Sequence, residues 1–148
     1  MQISRSDRRM LLWFLLALII ALMPWIVLAQ DNKVEKFNVQ PTYGYTQMVR
    51  VGNTLYLSGV TGRGPMNESI ESVYKRIEMQ LRKAGADFKN VVKENLYTTD
   101  LDAVKANNAV RMKFYNGEFP AATWVQVDRL FQPEYNLEVE VIAILDPK

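Results

Sequence analysis

Two glutamates near the end of the chain, Glu138 and Glu140, are well suited to acid–base chemistry. They stand two residues apart in an alternating segment, which places both carboxyl groups on one face of a strand. If they are close and partly buried, each raises the pKa of the other. The chain has no histidine and no cysteine, which excludes imidazole bases, thiol nucleophiles, disulfide bonds and Cys/His zinc sites. Proton transfer must therefore come from Asp, Glu, Lys, Tyr or bound water.

The charge distribution argues against a nucleic-acid partner. The formal net charge of +2 belongs to the first 29 residues, which carry three arginines and one aspartate. Residues 30–148 carry 15 basic and 15 acidic side chains and are neutral. Because binding to a phosphate backbone depends on a basic surface, we expect no nucleic-acid partner. We also expect no metal or cofactor, since a helix cap and a first-turn charge account for Asp100 and Asp102.

An uncharged run of 20 residues, Met10–Ala29, follows the three arginines and predicts an apolar leader helix. Val27 and Ala29 occupy the −3 and −1 positions of a cleavage site before Gln30, as in a secretory signal peptide. The run is also long enough to span a bilayer, so an uncleaved membrane anchor is the alternative. In both cases we expect residues 30–148 to be exported, periplasmic or secreted, with membrane contact only through an uncleaved leader.

The remainder of the chain is predicted to contain a polar linker, residues 30–41, and one domain, residues 42–148. Strand and helix periods alternate along this domain. The predicted order is strand, strand, helix, strand, helix, strand, strand, over 45–51, 54–60, 67–85, 91–99, 101–116, 122–130 and 136–145. This order predicts an α+β fold with two helices packed on one face of a mostly antiparallel sheet.

Local signals set the details of these elements. Gly52-Asn53 predicts a two-residue hairpin between the first two strands. Asn67 and Asp100 are predicted to cap the two helices, and Gly85 is predicted to end the first. In the second strand, one face is predicted to carry Leu55, Leu57 and Gly59, and the other Tyr56, Ser58 and Val60.

Five short segments occur in order at a characteristic spacing: Leu57-Ser58-Gly59, Ala84–Val92, Leu96–Asp100, Phe119-Pro120-Ala121 and Leu137–Ala143. Together they resemble the Rid superfamily of YjgF/RidA-type proteins, over a stretch from about Tyr45 to Leu145. The resemblance implies a chorismate-mutase-like fold and a homotrimer with small-molecule clefts between subunits. The activity that it implies is hydrolysis of reactive 2-imino or enamine acids to 2-oxo acids and ammonia.

Ala122 departs from the pattern of that family. In deaminating members, an arginine that binds the substrate carboxylate follows the Pro-Ala pair, whereas Ala122 follows Pro120-Ala121 here. A guanidinium binds a carboxylate through two parallel charged hydrogen bonds, which a methyl group cannot replace. Their loss weakens substrate binding by roughly two orders of magnitude or more. We therefore expect this chain to prefer substrates without that carboxylate or to deaminate poorly.

The other candidate site residues come from the same resemblance. Glu140 matches a glutamate that orients a water in the cleft, with Glu138 as the alternative on the same side. Ser58 matches a serine that binds ligand or water, and Tyr45 an aromatic residue that lines the cleft. Each also has a structural interpretation, as an exposed charge, a backbone-bonded hydroxyl or simple packing. Gly59 allows close approach of a ligand or a neighbouring backbone.

Arg63 and Trp124 are further candidates for ligand binding near Ala122. Arg63, on a glycine-flanked loop, would reach the cleft and replace the missing arginine, although a surface role is more common for such a residue. Trp124 extends an apolar cleft wall, or it fills the core or a subunit interface. Three functions stay open: a Rid-type hydrolase that uses Glu140 and a water, a non-catalytic metabolite-binding module, and a membrane-anchored interaction protein.

Overall fold

Six strands form one sheet in the described part of the chain, which in this computed structural model comprises residue 13 and residues 33–146. They lie in the order β1-β2-β3-β6-β4-β5. All neighbours are antiparallel except β4 and β5, which are parallel. The predicted mostly antiparallel mixed sheet is therefore confirmed. The strands are β1 (Val34–Gln40), β2 (Tyr45–Val51), β3 (Thr54–Gly62), β4 (Val91–Thr98), β5 (Ala121–Gln126) and β6 (Leu137–Ile144).

The helices are α1 (Met66–Lys83), α2 (Leu101–Ala106) and α3 (Asn108–Tyr115), with a 3₁₀ turn at Phe88–Asn90. The apolar face predicted for α1 is buried against the sheet, because its side chains recur every three or four positions. Gly85 follows α1 with a positive φ, as predicted. The core combines this helix face with the inward side chains of β3 and β6, including Leu55, Ile70, Val73, Ile77, Leu81, Val139 and Val141.

The helix ends correct two expectations and confirm a third. Asp100 caps α2, because the Ala103 amide donates to its Oδ1 at 2.8 Å. Asn67 does not cap α1; the helix already begins at Met66, after Pro65. The single helix expected over 101–116 is divided at Asn107, whose side-chain amide donates to the Ala103 carbonyl at 2.9 Å. Such local bonds compete with helix continuation.

The start of the described region also differs from expectation. Val34–Gln40, predicted as part of a polar linker, forms β1 and pairs with β2 in antiparallel register. Its residues lack the clean apolar alternation that identifies a strand from sequence, because this edge strand is largely exposed. At the other edge, β5 ends at Gln126, four residues before the predicted limit of 130.

The predicted leader, residues 1–29, lies outside the described residues apart from Trp13, which is helical. Neither at residue 13 nor within residues 33–146 is there a helix long and apolar enough to cross a membrane.

A β-bulge in β3 shapes the surface that carries the glutamates. Leu57 pairs with Val141 and Val60 with Val139, so β3 contains one residue more than β6 between these pairs. The extra residue reverses the alternation, and Val60 is buried although it was predicted to share a face with Tyr56 and Ser58. The bulge places Ser58 and Gly59 beside the outward face of β6.

Candidate functional site

Glu138 and Glu140 lie on the face of β6 that points away from the helices. Their neighbours Leu137, Val139 and Val141 are buried in the core, whereas both glutamates are half-buried. The predicted alternation of this strand is therefore confirmed.

The Glu140 carboxylate is held by two side chains of the adjacent strand β4. Asn95 Nδ2 donates to Glu140 Oε1 at 2.8 Å, and the Tyr97 hydroxyl donates to the same oxygen at 3.4 Å. Burial, followed by the charge of Glu140, raises the pKa of Tyr97, so this hydroxyl stays protonated as a donor. The contacts leave Glu140 Oε2 without a hydrogen-bond partner among the described residues.

An open hollow of about 270 Å³ lies beside Glu140 and is called the Glu140 hollow below. It contains acidic, basic, amide and hydroxyl groups together with an apolar wall. This mixture suits a small polar molecule with an apolar part. The lining residues are Thr46, Val49, Tyr56, Leu57, Ser58, Lys93, Asn95, Glu140, Val141 and Ile142.

Glu138 occupies a tighter environment than Glu140, against the backbone of the bulge. A β-carbon built on Gly59 would lie 2.7 Å from Glu138 Cδ, so only glycine leaves room for this carboxyl. Burial raises the pKa of Glu138, and the charge of Glu140 raises it further. A raised pKa makes a carboxylate a stronger base, which suits it to proton transfer.

Ser58 and Tyr45 have different positions relative to this site. Ser58 lines the Glu140 hollow, and its hydroxyl donates to the Thr46 carbonyl at 2.8 Å, which leaves its oxygen lone pairs to accept. Tyr45 begins β2 opposite Gln40 and is not part of the hollow lining. Tyr56 is the tyrosine that lines it.

Lys93 is a residue of the hollow that the sequence analysis did not single out. Its Nζ donates to Thr123 Oγ1 at 2.8 Å, across the parallel pair β4–β5. It is the one cationic residue of the hollow lining. A lysine alone in a strand gives no sequence signal, because most lysines are solvated.

Ala122 and Trp124 lie on the opposite face of the sheet from Lys93. Ala122 is paired with Glu94 in parallel register, and Trp124 Nε1 donates to Glu94 Oε1 at 3.0 Å on the helix side. Thr123, between them, reaches Lys93 on the outer face. An arginine at position 122 would therefore point away from the Glu140 hollow of the same chain. Trp124 packs against the core and does not line this hollow.

A buried ion pair lies on that helix side and was not anticipated from sequence. Glu94 is fully buried and accepts Arg111 Nε at 2.9 Å, with further bonds from Trp124 and two tyrosines. The Tyr74 and Tyr115 hydroxyls donate to Glu94 Oε2 at 2.8 and 2.6 Å. Burial and then the charge of Glu94 raise the pKa of both tyrosines. Every donor stabilises the ionised carboxylate, as a buried charge requires.

Arg63 lies apart from the Glu140 hollow. It lines a different hollow, at the end of β3, with Arg76 and Tyr135. No group of three or more Asp or Glu side chains within residues 33–146 is arranged to hold a metal ion.

The chain is similar to proteins of one family in sequence. A family model described as endoribonuclease L-PSP matches residues 36–145. The 2-iminobutanoate/2-iminopropanoate deaminase of Dermatophagoides farinae is 30% identical over 116 residues, which are 72% of this chain and 90% of that protein. The enzyme of the same name from Homo sapiens is 30% identical over 112 residues, 70% of this chain and 81% of that protein.

Solved structures agree with the described fold. A YjgF-family protein from Neisseria meningitidis superposes with a TM-score of 0.73, covering 80% of this chain and 99% of that chain at 24% identity, a likeness of fold alone. Yeast Mmf1 superposes with a TM-score of 0.65 at 27% identity, covering 69% of this chain and 87% of that chain.

Proposed function

Because this chain belongs to the endoribonuclease L-PSP family of YjgF/RidA-type proteins, we propose that it hydrolyses a labile imine or enamine to a carbonyl compound and ammonia. The observation that carries the proposal is the Glu140 carboxylate, held by Asn95 and Tyr97 on the wall of a polar hollow, with Glu138 two residues away on the same strand face. Two curated relatives over most of the chain are named as 2-iminobutanoate/2-iminopropanoate deaminases.

The reaction needs a water, a base and a proton donor. Water adds to the carbon of the C=N bond, and the nitrogen takes up a proton, which gives a carbinolamine. The C–N bond then breaks as a second proton reaches nitrogen and the hydroxyl proton is lost, so that ammonia leaves and a C=O bond forms. One carboxyl group that accepts and returns a proton is sufficient for both stages.

The two glutamates have different environments and take different roles in this proposal. Glu138, whose pKa is raised by burial and by the charge of Glu140, accepts and returns the proton. Glu140, fixed by Asn95 and Tyr97, positions the water through its other carboxylate oxygen. Ser58 supplies lone pairs that can accept from the substrate nitrogen or the water.

The substrate class follows from the cations near the hollow. Ala122 provides no guanidinium, and Lys93 binds a carboxylate only as a point charge, without the fork geometry of arginine. The enzyme accordingly prefers imines without a neighbouring carboxylate and acts more slowly on 2-imino acids. The neutral body and the absence of histidine weigh against RNA cleavage, the activity in the name of the family model.

Self-association completes the site in this proposal. The outer sheet face carries partly exposed aromatic and apolar side chains, Tyr45, Tyr56, Val125 and Ile144 among them. A homotrimer, as the family resemblance implies, would cover such side chains and bring the Ala122 edge of one subunit to the hollow of another. Light scattering on the purified chain measures the subunit number directly.

Export of residues 30–148 is also part of the proposal, and the arginines before the uncharged run support it. Cell fractionation with a mass measurement of the N-terminus tests it. A mature chain that begins at Gln30 supports a cleaved signal peptide, and an intact chain in the membrane fraction supports the anchor.

The direct test of the activity is ammonia release from imines generated in place. An amine oxidase supplies an imine without a carboxylate, and an amino-acid oxidase supplies a 2-imino acid, with catalase present in both assays. The full-length chain, kept in mild detergent because of its apolar leader, should accelerate hydrolysis of the first imine more than that of the second. Rates equal to the uncatalysed ones with both imines would contradict the proposed function.

A further inference from the structure

A second hollow, of about 420 Å³, lies at the end of β3 and shares no residue with the Glu140 hollow. Its volume is within the range of small-molecule sites in proteins, about 300–1,000 Å³. Its lining is almost entirely polar and contains no acidic residue. The lining residues are Thr61, Gly62, Arg63, Ser72, Arg76 and Tyr135. This group is called the two-arginine hollow below.

Arg76 is held in place by its own backbone surroundings. Its Nη2 donates to the Thr61 carbonyl, and its Nε donates to the Ser72 carbonyl at 3.3 Å. These bonds orient the guanidinium without neutralising its charge, because carbonyl oxygens carry no net charge. Burial lowers the pKa of Arg76, and among residues 33–146 the neighbour that raises it is the Tyr135 phenol.

The charges of both arginines are uncompensated. Within residues 33–146, no carboxylate lies within 4.0 Å of a nitrogen of Arg63 or Arg76, whereas Arg82 and Arg111 each have such a partner. A half-buried guanidinium without a counter-charge is electrostatically unfavourable, and a bound anion removes that cost. The hydroxyls of Ser72 and Tyr135 add two more donors to the same hollow.

We propose that the two-arginine hollow binds a small molecule through a dianionic group, either a phosphate or a pair of carboxylates. Two guanidinium groups and two hydroxyls match the many acceptor oxygens of such a group. The hollow has room for a larger molecule that carries the anion. This site is separate from the glutamate pair, and the inference does not rest on the proposed hydrolase activity.

Isothermal titration of the full-length chain with inorganic phosphate and with succinate tests the proposal, with sodium chloride at equal ionic strength as the blank. We expect saturable binding of at least one of the two dianions, at one site per chain. Arg63→Gln should weaken that binding by about tenfold or more, since it removes a charged donor pair from an exposed loop. The relative affinities of phosphate and succinate distinguish a phosphoryl ligand from a dicarboxylate.

Matched variants separate a built site from general attraction to positive charge. Arg82→Gln changes the net charge by the same amount as Arg63→Gln. Arg82 lies on the same helix as Arg76, but its side chain is paired with Glu78 outside the hollow. Arg82→Gln should leave the affinity unchanged, and so should Glu138→Gln. Arg76→Lys, which keeps the charge and tests the geometry, should weaken binding without abolishing it. Absence of saturable binding of both dianions, or equal losses in Arg63→Gln and Arg82→Gln, would overturn the inference.

Discussion

The backbone of Gly59 lies against the carboxyl group of Glu138, so closely that no β-carbon fits between them. The contact exists because the bulge in β3 sets Gly59 beside β6 one residue out of the regular alternation. Local backbone geometry and a candidate acid–base group are thus coupled. A larger side chain at position 59 should displace the Glu138 carboxyl more than it disturbs the rest of the fold.

Replacement of Gly59 by alanine should displace the Glu138 carboxyl and reduce activity by about tenfold or more, because a positioned base must stay within hydrogen-bond reach. Unfolding free energy should fall by about 1–3 kcal/mol, as expected for overpacking. Gly62→Ala is the matched control, since its β-carbon would meet Ser69 and Val73, away from the glutamates. Denaturant unfolding gives the loss of stability and kcat/KM the loss of activity. For a given loss of unfolding free energy, Gly59→Ala should lose more activity than Gly62→Ala.

The raised pKa of Glu138 predicts a pH-dependent effect on stability. Ionisation of this carboxyl disfavours the folded state, and that effect is absent well below the ordinary pKa of 4.5 and complete above the raised value. Glu138→Gln should therefore melt at a higher temperature than the parent at pH 7, and the difference should vanish toward pH 3. Glu134→Gln, at an exposed loop position, is the control. A lower melting temperature for Glu138→Gln at pH 7 would contradict this sign.

The Glu94–Arg111 pair should dominate the stability of the helix side. Arg111→Met leaves a fully buried carboxylate without its counter-charge, which should lower the free energy of unfolding by about 3–5 kcal/mol. Arg82→Met breaks an exposed pair instead and should change it by about 1 kcal/mol or less. Urea denaturation measures the free energy of unfolding of both variants. Equal losses would show that the buried pair contributes no more than the exposed one. The double variant Glu94→Leu/Arg111→Met should not recover the loss, because it leaves the buried Tyr74 and Tyr115 hydroxyls without their acceptor.

Restoring an arginine at position 122 should change substrate preference. Ala122→Arg should raise kcat/KM for a 2-imino acid by about tenfold or more and leave that for a carboxylate-free imine nearly unchanged. Because the side chain at 122 points away from the Glu140 hollow of the same chain, this gain depends on the proposed self-association. Ala121→Arg, one residue earlier on the other face, is the control. If only Ala121→Arg raised kcat/KM for the 2-imino acid, the substrate carboxylate would bind on the Lys93 side of the sheet.

Much of the fold could be predicted from local patterns. The Gly52-Asn53 hairpin, the Asp100 cap and the alternation of β6 depend on neighbouring residues, and all three are present in the structure. The bulge at Ser58-Gly59 and the break at Asn107 depend on bonds to other elements or to the preceding turn. Periodicity alone does not contain that information.

For the same reason, only part of the candidate site could be predicted from the sequence. No local sequence pattern around Glu94 predicts that Arg111, 17 residues away, is its partner. A signal was nevertheless present, because Glu94 alternates with Leu96 and Thr98 on the buried face of β4. A glutamate in such a series requires a buried donor. Position 63 illustrates the reverse case, since a loop arginine gives no sequence sign of which hollow it will line.

In the proposed mechanism, Glu138 transfers the proton and Glu140 positions the water. Ammonia release from a carboxylate-free imine should be compared for the parent chain, Glu138→Gln and Glu140→Gln between pH 4.5 and pH 8. The parent should exceed the uncatalysed rate, with activity rising through the raised pKa of Glu138. Glu138→Gln should remove the acceleration. Glu140→Gln should retain part of it and shift the rising limb to lower pH, because a neighbouring negative charge is gone. An inactive parent, or a Glu138→Gln variant as active as the parent, would contradict these roles for the two glutamates.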